Sequence, residues 1–389
     1  PYDRVSPNKN IMSRRIVTLS RLAAQKQNKN NNNKQPHKII LTTVNAAIQK
    51  IPKLEILENS VMSAKPGDKI SRDTLANFLV HNGYINVGKV VEPGEYAMRG
   101  SIIDIFPPGT DDNEAYRLDF FGDTLETIRI FSPLTQVSGK HCQHMILVPA
   151  SEILLNDKTI TYFREKYREL FGAASRDDPL YESISQGRKY AGMEHWLPLF
   201  YEELGTIFDY VPDAVLVSDY LSQKAHDERE KQISDYYDAR KDTKAKAFSM
   251  GTSYHPVEPE SLYLLGKAWK KSLEKFQQID LSPFSQPDSA ADNSIVKDLN
   301  VKLVTKITVE AKKQSKSSFD ILKSLLTGEK ISLIACMSQG SRERIKSMLE
   351  SNDITFSYID NWHQAQKIPK ATIGLIVLSL EHGFANDNL

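Results

Sequence analysis

The order of apolar and polar positions divides the chain into α/β, β-rich and again α/β stretches. Residues 1–24 are polar and then helical in character, with Ile11, Arg14, Arg15, Thr18 and Leu22 near helical spacing. The tract QKQNKNNNNKQPHK is low in complexity and too polar to bury a core; it reads as a tolerated loop insertion. Lys38–Val44, KIILTTV, is a short β-branched apolar run that predicts a buried strand, and NAAIQKI a helix after it. Near residue 65 the texture changes. Ser71 is placed to cap a helix carrying Leu75, Phe78 and Leu79 and stopping at Asn82-Gly83. Strand-like runs follow in EYAMRG, SIIDIFP, AYRLDFF and DTLETIRIF, with Phe121-Gly122-Asp123 as a hairpin turn and MILVPA closing the module.

Beyond residue 150 helical periodicity returns. DKTITYFREKYRELFG sets Tyr162, Phe163, Tyr167 and Leu170 on one side. Ala214–Asp219 predicts another buried strand, SQKAHDEREKQISDYYDARKDTKAKAF a long charged helix, and the proline-bearing 255–293 a surface connection. The last unit reads strand, helix, strand, strand, with Ser341 capping a helix that turns Ile345, Met348 and Leu349 inward.

Composition narrows the function classes. The 389 residues suggest two to four compact units, and a net charge of +1 excludes a global basic field for nucleic acid. No apolar run reaches the length of a membrane span, and the chain begins with no targeting helix. Cys142 and Cys336, far apart, read as apolar fillers in a reducing cytoplasm. Since the first residue is Pro1 and the last follow a hydrophobic run, the chain is expected to be a piece of a longer polypeptide.

Chemistry is sparse. No G-x-x-x-x-G-K-[ST] loop occurs to wrap a nucleotide's phosphates, and no G-x-S-x-G, H-E-x-x-H or C-x-x-C. The strand ending in Asp219 is followed by Tyr220, where a helicase places glutamate to position water. Glu194 beside His195, and His382 in EHGF, sit in no catalytic arrangement. No catalytic residue, cofactor or metal site is expected.

Three long blocks carry a resemblance: PYDRVSPNKNIMSRRIVTL, then RDTLANFLVHNGYINVGKVVEPGEYAMRGSIIDIFPPGTDDNEAYRLDFFGDTLETIRIFSPLT, and AGMEHWLPLFYEELGTIFDYVPD. They resemble the N-terminal region of bacterial transcription-repair coupling factors (the Mfd family), the middle block being the part that family shares with UvrB. The resemblance implies an α/β architecture. A degenerate RecA-like (UvrB-like) domain over 1–64 and 150–282 would hold an inserted α+β UvrA-binding domain at 65–149. A linker at 283–294 and a small α/β domain at 295–389 would follow. It implies a non-enzymatic, cytoplasmic role in recruiting UvrA to stalled polymerase, through Arg99, Arg117 and Phe121. Arginine forks and exposed aromatics dominate binding hot spots. Arg117 and Phe121, four apart, share a strand face, with Phe120 turned to the core. UvrB has a second arginine two residues before the equivalent of Arg99, and Ala97 stands there here. RNA polymerase, double-stranded DNA, ATP and magnesium are expected only for other domains of such a protein, and a C-terminal domain to mask the UvrA surface. The alternatives are a UvrB-type damage-verifying ATPase, or a nucleic-acid-binding module using the lysine-rich 297–330, whose interspersed acids favour a solvated face.

Overall fold

The first apolar spacing does make a helix, α1 (Lys9–Gln27), but the stripe that docks is Ile16, Val17, Leu19 and Ala23. Ile11 is exposed. This computed structural model describes residues 2, 5–27, 39–110, 114–172, 178–246, 254–284, 295–304, 307–326 and 331–386. The chain divides into two units, Pro1–Pro283 and Phe284–Leu389. The asparagine-rich insertion falls almost wholly outside the described residues. The strand expected at Lys38–Val44 does not form: Ile39 and Leu41 are 89% and 91% exposed, and Val44 already opens α2 (Val44–Ala47). An apolar run becomes a strand only where a neighbour takes its backbone hydrogen bonds, and none pairs with it among the described residues. β1 (Ile51–Pro52) and α3 (Leu54–Glu58) pack Ile51, Leu54 and Leu57 against α1.

The middle module follows its pattern closely. β2 (Met62–Ala64) leads to α4 (Arg72–His81), where Ser71 Oγ accepts from Thr74 N at 3.1 Å. Gly83, at φ +80°, takes the left-handed turn that ends the helix. β3 (Ile85–Asn86), β4 (Glu95–Arg99), β5 (Ile102–Phe106), β6 (Ala115–Phe121), β7 (Thr124–Phe131) and β8 (Ser138–Cys142) form one sheet in that order, antiparallel except for β3 on β4. Leu75 and Leu79 of α4 share a core with Tyr96, Ile103, Ile105, Leu118, Phe120 and Ile128 on one sheet face. Burying each such leucine contributes about 1.5–3 kcal/mol. The opposite face buries Val90, Ala97, Phe106, Ala115 and Phe131. β9 (Met145–Leu147) pairs antiparallel with β2 and closes the module at its stem.

The remainder of the first unit departs further from expectation. α5 (Asp157–Phe171), opened by a capping box at Asn156, buries Phe163 and Tyr167, while Leu170 is exposed. After it come α6 (Pro179–Ser185), a tight turn over Met193–Leu199, β10 (Leu204–Gly205, antiparallel to β1), α7 (Ile207–Tyr210), β11 (Val215–Asp219) and α8 (Ser222–Lys246). β11 is a strand but not a buried one, with Val217 59% exposed; its partner is β12 (Gln277–Leu281), in parallel. Of the expected connection at 255–293, residues 255–276 contribute to the core instead. α9 (Pro259–Leu262) and α10 (Gly266–Leu273) lie there, and Tyr254, Val257, Leu262, Tyr263 and Trp269 join the largest core. Pro259 opens α9 at its first helical position, where the missing N–H has no intrahelical partner to lose. Tyr2 is buried in the same core, its hydroxyl donating to Val257 O at 2.9 Å.

The second unit is α/β. β13 (Val301–Leu303), α11 (Ile307–Gln314), α12 (Ser318–Leu325), β14 (Ser332–Cys336), α13 (Gln339–Glu350), β15 (Phe356–Tyr358), α14 (Trp362–Ala365), β16 (Ile373–Val377) and β17 (Phe384–Asn386) follow in order. β14, β16 and β15 make a parallel sheet in that order, and β13 pairs antiparallel with β17. The cap of α13 is Ser338, which accepts from Ser341 N; Ser341 occupies the third helical position and returns the bond to Ser338 N. Leu349 faces the core and Met348 is exposed. Lys312, Lys313, Lys316 and Lys323 point to solvent. Among the described residues no helix is long and apolar enough to cross a membrane.

Candidate partner-binding site

Two hairpin tips lie side by side at one end of the six-stranded sheet. Arg99 pairs with Ile102 across Gly100-Ser101, and Phe121 with Thr124 across Gly122-Asp123. In both, the glycine comes first and adopts φ +59°, the left-handed conformation that two-residue hairpins favour and glycine adopts without strain. Phe120 N donates to Ser101 O at 3.0 Å and joins the tips. Phe120 is buried, whereas Phe121 is 77% exposed.

Arg99 lies on the same sheet face as Ala97, exposed, and donates through Nη2 to Gly88 O. Its neighbourhood is braced by Arg72, whose Nη1 donates to Gly100 O at 2.6 Å. Arg99 and Phe121 therefore share one accessible end of the sheet. The register slips between Asp119 and Phe120, so the even spacing from Arg117 to Phe121 crosses an irregularity.

Arg117 sits differently. It lies four residues down β6 from Phe121, about 13 Å along a strand. Nε and Nη2 donate to Asp104 Oδ1 and Oδ2 at 2.7 and 2.9 Å, and Nη1 to Ser138 Oγ at 3.0 Å. The guanidinium lies 4.6 Å over the ring centre of Phe131. Its side chain is 18% exposed and that of Asp104 only 2%. Donating hydrogen bonds to Asp104 pushes the Arg117 pKa up against the opposing cost of burial. Arg117 is thus the partner that makes a buried carboxylate tolerable. Asp104 carried a readable signal: an acid inside the apolar run SIIDIF demands a cation. Beside this pair, Asp119 is bridged by Arg129 at 3.5 Å.

Asp219 Oδ1 accepts from Leu221 N at 2.7 Å, turning the chain from β11 into α8. Glu194 accepts from Ser6 Oγ at 2.9 Å, and burial raises its pKa. His382 is exposed. Cys142 and Cys336 are free thiols, Cys336 buried and Cys142 half-buried.

A family model described as the UvrB interaction domain matches residues 62–153, and one described as the MFD D3 domain matches residues 328–389. The transcription-repair-coupling factor of Rickettsia bellii is 32% identical over 385 residues, covering 99% of this chain and 32% of the relative. Those of Haemophilus influenzae and Escherichia coli K12 are 30% and 28% identical over 387 and 390 residues, each covering 99% of this chain and 31% of the relative. Along nearly its whole length the chain is similar to transcription-repair coupling factors. It spans about a third of the length of the curated relatives it matches. The hairpin end bearing Arg99 and Phe121 lies inside the UvrB interaction match, as do Arg117 and Asp104.

Proposed function

We propose that this chain recruits UvrA, within a transcription-repair coupling factor that links stalled RNA polymerase to nucleotide excision repair. The observation that carries the reading is Phe121, 77% exposed on a hairpin tip beside Arg99, in a stretch matching the UvrB interaction domain. An exposed aromatic with two torsions loses little entropy on docking, and an arginine offers a planar fork to a partner's carboxylate. Arg99 and Phe121 touch UvrA; Arg117 belongs to the same surface and shapes it through Asp104. The domains are 1–64 with 150–282, a UvrB-like domain of RecA type without a working ATPase, then 65–149, the UvrA-binding insertion, then 295–389 beyond a linker at 283–294. ATP, magnesium, polymerase and double-stranded DNA are the business of other domains of the full polypeptide, as is masking of the UvrA surface by a C-terminal domain.

Titration calorimetry of this chain against UvrA tests the reading. The parent binds, and Arg99→Ala and Phe121→Ala each weaken binding by about 1–3 kcal/mol at unchanged melting temperature. A parent chain that gives no heat with UvrA sinks it.

A further inference from the structure

Near the start of α8 three side chains converge on one point: His226, Asp227 and Glu230, whose ligand atoms all lie within 4.8 Å of one another. His226 is 1% exposed, its ring stacked on the indole of Trp269 at 5.0 Å and 16°. Its Nε2 lies 3.3 Å from Leu264 O. A carbonyl only accepts, so Nε2 carries the proton and, in the neutral ring, Nδ1 presents a lone pair. That lone pair faces Asp227 Oδ1 at 3.4 Å and Glu230 Oε2 at 3.7 Å, which are acceptors as well. Three electron-rich atoms held together beside a packed ring attract a cation, either a proton or a metal ion.

We propose that His226, Asp227 and Glu230 bind one divalent transition-metal ion of the zinc class. Tetrahedral zinc with bonds of about 2.0–2.1 Å holds its donor atoms about 3.3–3.4 Å apart, so the His226–Asp227 separation already fits, and the cluster, whose donor atoms lie within 4.8 Å of one another, draws in as the two carboxylates turn toward the ion. The surroundings are those a metal ligand needs. The second ring nitrogen of His226 is tied to a backbone carbonyl, which fixes tautomer and ring plane. Asp227 Oδ1 accepts from Gln223 Nε2 at 2.7 Å and Glu230 Oε2 from Gly266 N at 3.4 Å, so both carboxylates are aimed from outside the cluster. The side chains of Asp227 and Glu230 are 65% and 39% exposed, which leaves a path for the ion and water for its remaining position. One imidazole among the donors favours zinc and its neighbours over calcium or magnesium, which take oxygen alone. The bound ion fastens α8 to the Leu264–Gly266 connection between α9 and α10. The proposal is independent of UvrA recruitment.

The competing occupant is a proton on His226 Nδ1, and the test separates the two. The chelator-stripped chain is titrated with zinc chloride by calorimetry, and the imidazole nitrogens are followed by 15N NMR. One zinc per chain is expected, with the Nδ1 resonance of His226 moving. Affinity falls at least about tenfold in Asp227→Asn and in Glu230→Gln. Both carboxylates reach solvent, so these variants keep the fold, and Glu228→Gln on the same helix is the unchanged control. Zinc binding of equal affinity in both variants puts the ion elsewhere, His141, Cys142 and His144 first, and overturns the proposal. So does the absence of binding with His226 doubly protonated, which gives the cluster to a proton.

Discussion

Phe121 and Arg117, four positions apart on β6, predict opposite signatures. Phe121→Ala removes a side chain that is mostly in solvent, so the urea midpoint stays put while UvrA affinity falls. Arg117→Ala strands the buried carboxylate of Asp104, and losing one partner of a buried pair costs about 3–5 kcal/mol. Its effect on binding arrives with a lowered urea midpoint, and Arg117→Lys restores little because lysine has no fork. An unchanged midpoint in Arg117→Ala would contradict a structural role for the pair. A pH effect belongs to Glu194, whose carboxyl burial holds above its ordinary 4.5. The folded chain then binds more protons than the unfolded one as pH rises from about 4.5, so this residue's contribution to stability declines through that window. Glu194→Gln is expected to match the parent in acid and to exceed it at neutral pH; urea melts at both pH values check the sign. The identity of Phe121 as outward and Phe120 as inward was legible from strand alternation. The captivity of Arg117 was not, since it depends on Asp104 and Ser138 arriving from neighbouring strands.

At the scale of elements, caps and turns carried the clearest signals because their chemistry is local. Ser71, Asn82-Gly83 and Gly122 act where their residue types predict. The cap of α13 shows the limit of that reading: SQGS offers two serines, and only backbone angles decide that Ser338 is the cap. Ser338→Ala is therefore expected to cost about 1 kcal/mol and Ser341→Ala less, measured by thermal melts of the chain. A longer-range contact supplies a sharper test. A Cβ on Gly109 would meet Val17 Cγ2 of α1 at 2.5 Å, and φ there is +78°. Gly109→Ala should lower the melting temperature, and the double variant with Val17→Ala should recover part of the loss; no loss at all would deny that the loop packs on α1.

For the whole molecule, division into Pro1–Pro283 and Phe284–Leu389 predicts that a chain ended at Pro283 folds and keeps the UvrA affinity of the full one. Loss of binding on that truncation, with folding intact, would assign part of the surface to the second unit. What the sequence by itself determined is what short-range physics controls: a helix-then-strands module in the middle, its hairpins, its inward and outward residues, the charged length of α8 and the α/β order of the second unit. What the tertiary structure decided is which apolar runs find partners. KIILTTV stays exposed, AVLVSD becomes an exposed strand, and the proline-bearing stretch after residue 254 supplies Tyr254, Val257 and Trp269 to the largest core. The same holds for Arg117 over Asp104 and for His226 between Trp269 and two carboxylates. Burial and ion pairing depend on segments brought together from far along the chain, and hydrophobic periodicity records only a side chain's own neighbours.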